Sequence, residues 1–233
     1  MSGVIGVASE RKFGYNPDVD AGSTPEDIWD GGGVYTFASV AAASTIQSSD
    51  VDDADGDSGA RTVEVYGLDA DYLMRNEIAT MDGQTPVALK YEYLRVFRAV
   101  VRAAGASEGN EGTITVKIGV GTGAIITPAA GQTLMAIYTI PADYGYAQWL
   151  GWEASIGRVQ ATTALLAFQV KPFGEAWQTK DIRAINSQGG GFEINPAVPL
   201  KIPSKADIRV RAAECSANDT GISAAFDLSF ASN

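Results

Sequence analysis

The stretch that decides the fold reads Thr113-Ile114-Thr115-Val116-Lys117-Ile118. Apolar β-branched side chains at 114, 116 and 118 alternate with threonine and lysine, which is the period-two pattern of a strand with one buried face. The same alternation returns in residues 207–211 and 222–230, and a loop-like run, residues 216–221, joins them. Short runs of this kind, separated by Gly, Pro, Asn and Asp clusters, predict an all-β protein, either a sandwich or a barrel.

One segment fits two periodicities. Between Lys90 and Ala104, the apolar residues can be placed at helical spacing or on one face of a strand. The all-β surroundings and the glycines that follow, Gly105 and Gly109, favour the strand. A similar choice arises at 119–124, where glycines imitate part of a dinucleotide-binding fingerprint. No helix can be read after them, so a turn is expected; Asp82-Gly83 likewise predicts a hairpin turn.

Composition narrows the function. The 233 residues carry a net charge of −11, which disfavours binding to nucleic acid. No run of about 18 apolar residues suggests a membrane helix, and the apolar start Met1–Ala8 lacks the cationic residues of a secretory signal. A single cysteine allows no intramolecular disulfide, and the absence of histidine removes the commonest general base and zinc ligand.

The leader combines turn residues with aromatic ones. It contains Phe13-Gly14-Tyr15-Asn16-Pro17-Asp18-Val19-Asp20 and, from Gly22, a run ending in Pro25-Glu26-Asp27-Ile28-Trp29-Asp30-Gly31-Gly32-Gly33-Val34-Tyr35. This composition argues against a helix or a regular strand, so its aromatic side chains need another surface. The expected anchors on a neighbouring subunit are Phe13, Tyr15, Ile28, Trp29 and Tyr35, with folding back onto the same chain as the alternative for Trp29.

The leader resembles the N-terminal region of a family of tailed-bacteriophage virion structural proteins, in which a similar N-P-D-x-D…P-E-D-x-W-D-G-G-x-Y run precedes an all-β body. Residues 138–142, 170–174 and 200–212 look like strand and turn elements of that family. The resemblance implies a jelly-roll-type β-sandwich, residues 37–233, preceded by an extended N-terminal arm, residues 1–36. We therefore expect that deleting residues 1–35 leaves a folded body.

The resemblance also implies a function. It points to a capsid decoration or cement protein of the virion, assembled in the host cytoplasm as a homotrimer. Its partners would be the major capsid protein and neighbouring copies of itself, with neither nucleic acid nor membrane involved. The alternative is a tail or neck component that binds a receptor or glycan through Trp149, Trp152 or Trp177; the same tryptophans would otherwise pack in the core or at a subunit interface.

Two sets of acidic residues invite a chemical interpretation. The loop from Asp50 to Asp57 could supply oxygen ligands to a cation, with Asp53, Asp55, Asp57 and Glu64 at EF-hand-like positions, but Ser58 stands where that loop needs glycine. A solvated loop is preferred, so no metal or cofactor is expected. Carboxylate pairs drawn from Asp18, Asp20, Glu26 and Asp27, or from Glu153 and Glu175, have no recognisable activating partner, and no enzymatic activity is expected.

Overall fold

The computed structural model describes residues 7–22, 25–157 and 161–231, and these contain seventeen strands and no helix. The all-β prediction is confirmed. In chain order, the strands are β1 Val7–Val19, β2 Glu26–Asp27, β3 Ala42–Ser48, β4 Ala60–Leu68, β5 Met74–Thr80, β6 Val87–Tyr93, β7 Arg95–Ala104, β8 Ile114–Ile118, β9 Gly121–Ile126, β10 Ile137–Thr139, β11 Tyr146–Gly157, β12 Thr163–Lys171, β13 Gln178–Asn186, β14 Phe192–Ile194, β15 Leu200–Pro203, β16 Asp207–Cys215 and β17 Thr220–Ala231. Within the described ranges, no helix is long and apolar enough to cross a membrane.

The chain forms two compact units. One, here called the jelly-roll unit, comprises Met1–Tyr35 and Met135–Asn233; the other, the inserted unit, is Thr36–Leu134. The first boundary between the units, between Tyr35 and Thr36, lies next to the position where the arm was expected to end. The division into an arm, 1–36, and one body, 37–233, differs from the structure, because the leader joins the C-terminal part of the chain and residues 36–134 form a unit of their own.

The jelly-roll unit consists of two antiparallel sheets. In the first, the order is β1-β17-β11, with β14 and β15 both pairing with β11; in the second, it is β10-β16-β12-β13, with β2 also pairing with β16. If β2 and β10 count as one interrupted strand, and β14 and β15 as another, the two sheets have the eight-strand order 1-8-3-6 and 2-7-4-5. This is the jelly-roll arrangement, and the prediction of a jelly-roll-type sandwich is confirmed.

The leader is part of this sandwich. Strand β1 pairs with β17 from Val7 to Asn16 and again at Val19, and the register shifts between the two, where Pro17 lies. A proline cannot donate to a ladder, and a bulge on an edge strand is where it is tolerated. The expectation that this stretch could not be a regular strand was therefore wrong, because one irregularity absorbs its turn residues. Residues 1–6, 23 and 24 lie outside the described ranges.

Aromatic side chains fill the space between the two sheets. The ring of Trp149 stacks on that of Phe168 with centroids 4.7 Å apart, and Phe226 meets Phe168 edge-on at 5.5 Å. Trp149 and Phe226 come from the first sheet and Phe168 from the second. Each large aromatic residue buries a large apolar area, so these rings contribute strongly to the stability of such a core.

The inserted unit has a four-stranded sheet, β6-β3-β8-β9, and a three-stranded sheet, β5-β4-β7. The ambiguous segment from Lys90 to Ala104 forms the end of β6 and all of β7, so the strand interpretation is confirmed. Leu94 separates the two strands, and its main-chain N–H donates to the carbonyl of Leu68 at 2.7 Å.

Two glycine turns have different outcomes. Gly119, with φ of +57°, begins the tight connection between β8 and β9, which pair with each other, so the turn prediction is confirmed for residues 119 and 120. It was wrong for residues 121–124, which form the start of β9. Asp82-Gly83 does not form a hairpin, because the strands on either side, β5 and β6, belong to different sheets. Gly83 instead has φ of +55° and donates its N–H to the carbonyl of Asp53 at 2.9 Å.

Candidate functional site

Three of the five expected anchors are core residues of their own chain. Ile28, Trp29 and Tyr35 are 0%, 6% and 4% exposed. Ile28 donates its N–H to Val210 and accepts a bond from the N–H of Ala136, so it is fixed on both sides. These residues do not reach a neighbouring subunit, and that part of the prediction was wrong.

Trp29 illustrates why. Its indole N–H donates to the carbonyl of Gly32 at 2.7 Å, and its ring meets Tyr35 edge-on at 5.1 Å. Gly31 passes so close to the indole that a Cβ there would lie 2.3 Å from a ring atom. The glycines next to Trp29 therefore allow the main chain to pass close to its indole ring. The structure shows the alternative expected for Trp29, which is that it folds back onto its own chain.

The other two anchors, Phe13 and Tyr15, remain accessible. They lie on β1 and alternate with buried Lys12, Gly14 and Asn16, so they project from the outer side of the first sheet. Phe13 is half-buried and Tyr15 is 40% exposed. We call this side of β1, β17 and β11 the outer face.

The outer face has small and charged neighbours around these rings. Phe13 lies opposite Ala225, and Tyr15 opposite Ser223. Arg11 joins three strands, since its guanidinium bonds to Glu153 on β11 at 2.5 Å and to Asp227 on β17 at 2.9 Å. All three side chains are roughly half exposed, so the pairs contribute little to stability but fix the charge pattern of the face.

A buried carboxylate holds the leader to β16. Asp27 is fully buried; it accepts bonds from the Nε of Arg211 at 2.7 Å and from the main-chain N–H of Tyr35 at 2.8 Å. Arg209 lies 3.7 Å from the same carboxylate, and burial lowers its pKa to about 10, an effect that Asp27 opposes and Arg211 reinforces. A charge buried this deeply requires such pairing, so Asp27 is a structural residue.

Glu26 and Glu153, two other carboxylates considered for catalysis, also have partners in the structure. Glu26 accepts hydrogen bonds from the main-chain N–H groups of Asp20 and Gly33 and from the side chain of Asn16. Glu153 pairs with Arg11. Desolvation and the neighbouring charges of Asp20 and Asp219 raise the pKa of Asp18, which is the local effect of crowding acidic side chains at one end of the leader.

The acidic loop divides into a buried and an exposed part. Asp53 is fully buried and accepts four hydrogen bonds, from the main-chain N–H groups of Ala60, Glu111 and Gly112 and from the hydroxyl of Ser48. Asp53 is thus turned toward the protein. Glu64 bonds to Arg102 at 2.6 Å and to Asn76 at 2.9 Å. The EF-hand-like ligand set does not come together.

A different group of carboxylates does come together. Asp50, Asp52 and Glu111 each place an oxygen within 4.8 Å of the others. Glu111 follows in sequence by more than fifty residues, so no local pattern could have identified it. Desolvation and the charges of Glu111 and Asp50 raise the pKa of Asp52. Mutual repulsion of this kind is typical of an acidic surface, and oxygen donors at this spacing also suit a hard cation.

The three tryptophans considered for glycan binding also differ in burial. Trp149 and Trp152 are 5% and 2% exposed, so they cannot form a platform for a sugar ring. Trp152 donates its indole N–H to Asp181 at 2.9 Å, whereas the indole nitrogen of Trp149 has no partner among the described atoms. Trp177 is half-buried, and the guanidinium of Arg209 lies over its ring at 3.8 Å from the centroid.

Comparisons with known proteins give little support to a specific assignment. No family model and no curated protein matches the chain. Among solved structures, it is weakly similar to a subviral particle of the capsid protein VP2 of infectious bursal disease virus, with a TM-score of 0.24 and 11% identity over 96% of this chain and 71% of that one. A D431N mutant of VP2 from the same virus gives a TM-score of 0.14 and 8% identity over 97% and 78% of the two chains. Similarities this weak carry no functional argument, so the function has to be inferred from the residues described above.

Proposed function

We propose that the chain is a structural component of a tailed-bacteriophage particle, specifically a head decoration or cement protein. The observation that carries the proposal is the jelly-roll strand order, an architecture used by viral capsid domains, together with the resemblance of the leader to phage virion proteins. A fold alone does not determine function. The contact surface must therefore be argued from particular residues.

The outer face supplies that surface. Phe13 and Tyr15 present half-exposed aromatic rings next to small side chains, and aromatic residues supply much of the binding energy at protein interfaces. The partners would be the major capsid protein and neighbouring copies in a homotrimer, inside a virion assembled in the host cytoplasm. The net charge of −11 disfavours binding to phosphate backbones, so no nucleic-acid partner is proposed.

The stabilisation that such a component gives to a capsid adds up over its many binding sites. A subunit that binds only the assembled shell stabilises it by mass action, and the effect is repeated at every site of the lattice. Closed cyclic symmetry would satisfy the contacts between the three copies of each homotrimer.

The proposal is tested on gradient-purified particles. We expect mass spectrometry to find this chain at a copy number comparable to that of the major capsid protein; a tail or neck component would be present in only a few copies. The double substitution Phe13→Ser and Tyr15→Ser should lower incorporation, and the matched change Phe173→Ser, at a residue that is 64% exposed elsewhere in the unit, should not. Absence of the chain from purified particles would contradict the proposal, as would full incorporation of the double variant.

A further inference from the structure

Strand β13 is an edge of the jelly-roll unit. It pairs with β12 on one side, and among the described residues no strand pairs with its other side. Six of its nine residues are exposed, and Ile182 in the middle of the strand is 49% exposed. An unpaired edge with an exposed apolar residue is a template for another strand.

The side chains of β13 have an unusual symmetry. Asp181 and Arg183 lie on either side of Ile182 and share one face of the strand, and the Nε of Arg183 is 3.2 Å from a carboxylate oxygen of Asp181. The sequence therefore reads acidic, apolar, basic about a central residue. In a second copy that runs antiparallel, the order is reversed, so the acidic side chain of one copy lies opposite the basic side chain of the other.

We propose that β13 pairs antiparallel with β13 of a second copy, about a two-fold axis centred on Ile182. In this register, Asp181 of each copy lies opposite Arg183 of the other, and the two Ile182 side chains meet on the opposite face. Opposite charges directly across an antiparallel pair are favourable, and like charges are not. This interface goes beyond the proposed particle role and does not depend on it.

The neighbouring registers are less favourable. Centring the axis on Asp181 sets the two Asp181 carboxylates against each other, and centring it on Arg183 does the same to the two guanidinium groups. A centre at Lys180 opposes two lysines. Only the register centred on Ile182 pairs both charges and the exposed apolar side chain at once, so the pattern specifies the register as well as the partner.

The main chain at the centre is available. The N–H of Ile182 donates to Asp181 Oδ1 at 2.9 Å, so this donor is not spent on the ladder with β12. In the dimer, the same N–H would donate to the carbonyl of Ile182 in the second copy. Asp181 would keep its bond from the indole of Trp152 through Oδ2, which is 2.9 Å away, and would gain Arg183 of the other copy. Strand addition of this kind derives affinity from main-chain bonds and specificity from side chains.

The test is sedimentation equilibrium on the full chain, up to about 1 mM, which is the weak end of specific association. The wild type should show a concentration-dependent two-fold association, of two chains or of two homotrimers. Arg183→Glu places an acid opposite Asp181 and should weaken dimerisation by about tenfold or more, whereas Lys180→Glu, the same change of charge on the same strand, should have a much smaller effect. A wild type that stays monomeric over the whole range would overturn the proposal, and so would an Arg183→Glu variant that dimerises normally.

A mixture provides the sharper test. Asp181→Arg alone and Arg183→Glu alone each set like charges in opposition, but a heterodimer of the two variants pairs opposite charges at both positions. We expect the mixture to associate although neither variant does so alone. A mixture of folded variants that remains monomeric would refute the register.

Asp181→Arg could also unfold the unit, because Asp181 accepts the Trp152 indole bond. The variant Ile182→Pro tests the same interface without changing Asp181. It removes the central N–H donor of an edge strand, where proline is tolerated, together with the isoleucine side chain, and it leaves the bond between Asp181 and Trp152 in place. It should abolish the dimer while circular dichroism remains that of the wild type. Unchanged dimerisation by this variant would also overturn the proposal.

Discussion

Replacing Asp53 with asparagine should destabilise the inserted unit by about 2–4 kcal/mol. The Asp53 carboxylate is fully buried and accepts hydrogen bonds at 2.5 to 2.9 Å from one hydroxyl and three main-chain N–H groups. An amide has only one oxygen, so at least one buried N–H group loses its acceptor. Leaving such a donor unsatisfied costs about 1–3 kcal/mol. The remaining bonds lose their charge assistance, which accounts for the rest of the expected loss.

The matched control for this prediction is Asp55→Asn. Asp55 lies in the same loop, but its side chain is exposed, and a substitution there should change the free energy of unfolding by no more than about 0.5 kcal/mol. All four tryptophans, Trp29, Trp149, Trp152 and Trp177, belong to the jelly-roll unit, so their fluorescence is a poor reporter of the inserted unit. Urea unfolding followed by far-ultraviolet circular dichroism, combined with hydrogen exchange at the amides of Ala60 and Gly112, provides the measurement. If Asp53→Asn unfolds at the wild-type midpoint with those amides still protected, then the hydrogen bonds of Asp53 do not hold the loop and the reasoning fails.

Four further predictions concern other parts of the chain. The expectation that a folded body remains after deletion of residues 1–35 is corrected by the structure, because β1 and β2 are strands of the jelly-roll unit. The cooperative tryptophan-fluorescence transition of that unit should therefore disappear in the deletion variant, and a variant that keeps this transition would show that the leader is dispensable. Asp27→Ala removes the carboxylate that neutralises the buried Arg209 and the part-buried Arg211, and it should lower the free energy of unfolding by about 3–5 kcal/mol in urea titrations, with the exposed Asp20→Ala as the control. Asp52→Asn should raise the urea unfolding midpoint of the inserted unit at neutral pH. The pKa of Asp52 is raised in the folded state, so ionisation of this carboxyl group destabilises the fold as pH increases through the raised pKa. The gain in midpoint should therefore vanish at low pH, where the carboxyl group is neutral, and shrink in 1 M salt. Trp177→Ala should leave a glycan array unchanged, because Arg209 covers one side of the indole ring; loss of a wild-type glycan signal in this variant would instead support the tail or neck alternative.

The strands were predictable because their signal is local. In residues 222–230, side chains with one face toward the core recur at every second position, and this pattern survives in the sequence whatever the topology. The jelly-roll prediction came from the leader and a few strand motifs, and the strand order agrees with it. The sequence did not reveal that residues 36–134 interrupt one strand of the jelly roll, because no change of composition marks the point, at Met135, where the chain returns to the first unit.

The errors at the candidate site have a common physical cause. Burial depends on which distant segments pack together, and sequence neighbours do not reveal it. Trp29 is surrounded in sequence by glycine and aspartate, yet in space by Tyr35 and by the strand residues paired with Ile28. Asp53 resembles its acidic neighbours in sequence, but Gly112 and Glu111, far along the chain, turn it into a buried acceptor.

The pairing of β1 with β17 has a consequence for biosynthesis. The ion pair between Arg11 and Asp227 joins residues 216 positions apart, so the first strand of the jelly roll has no partner until nearly all of the described chain has left the ribosome. The inserted unit, in contrast, is continuous in sequence and can complete its own sheets first. A nascent chain would then contain a folded inserted unit and an unpaired strand β1. Contacts at such long sequence separation form slowly, and the unpaired strand can mispair before its partner is available.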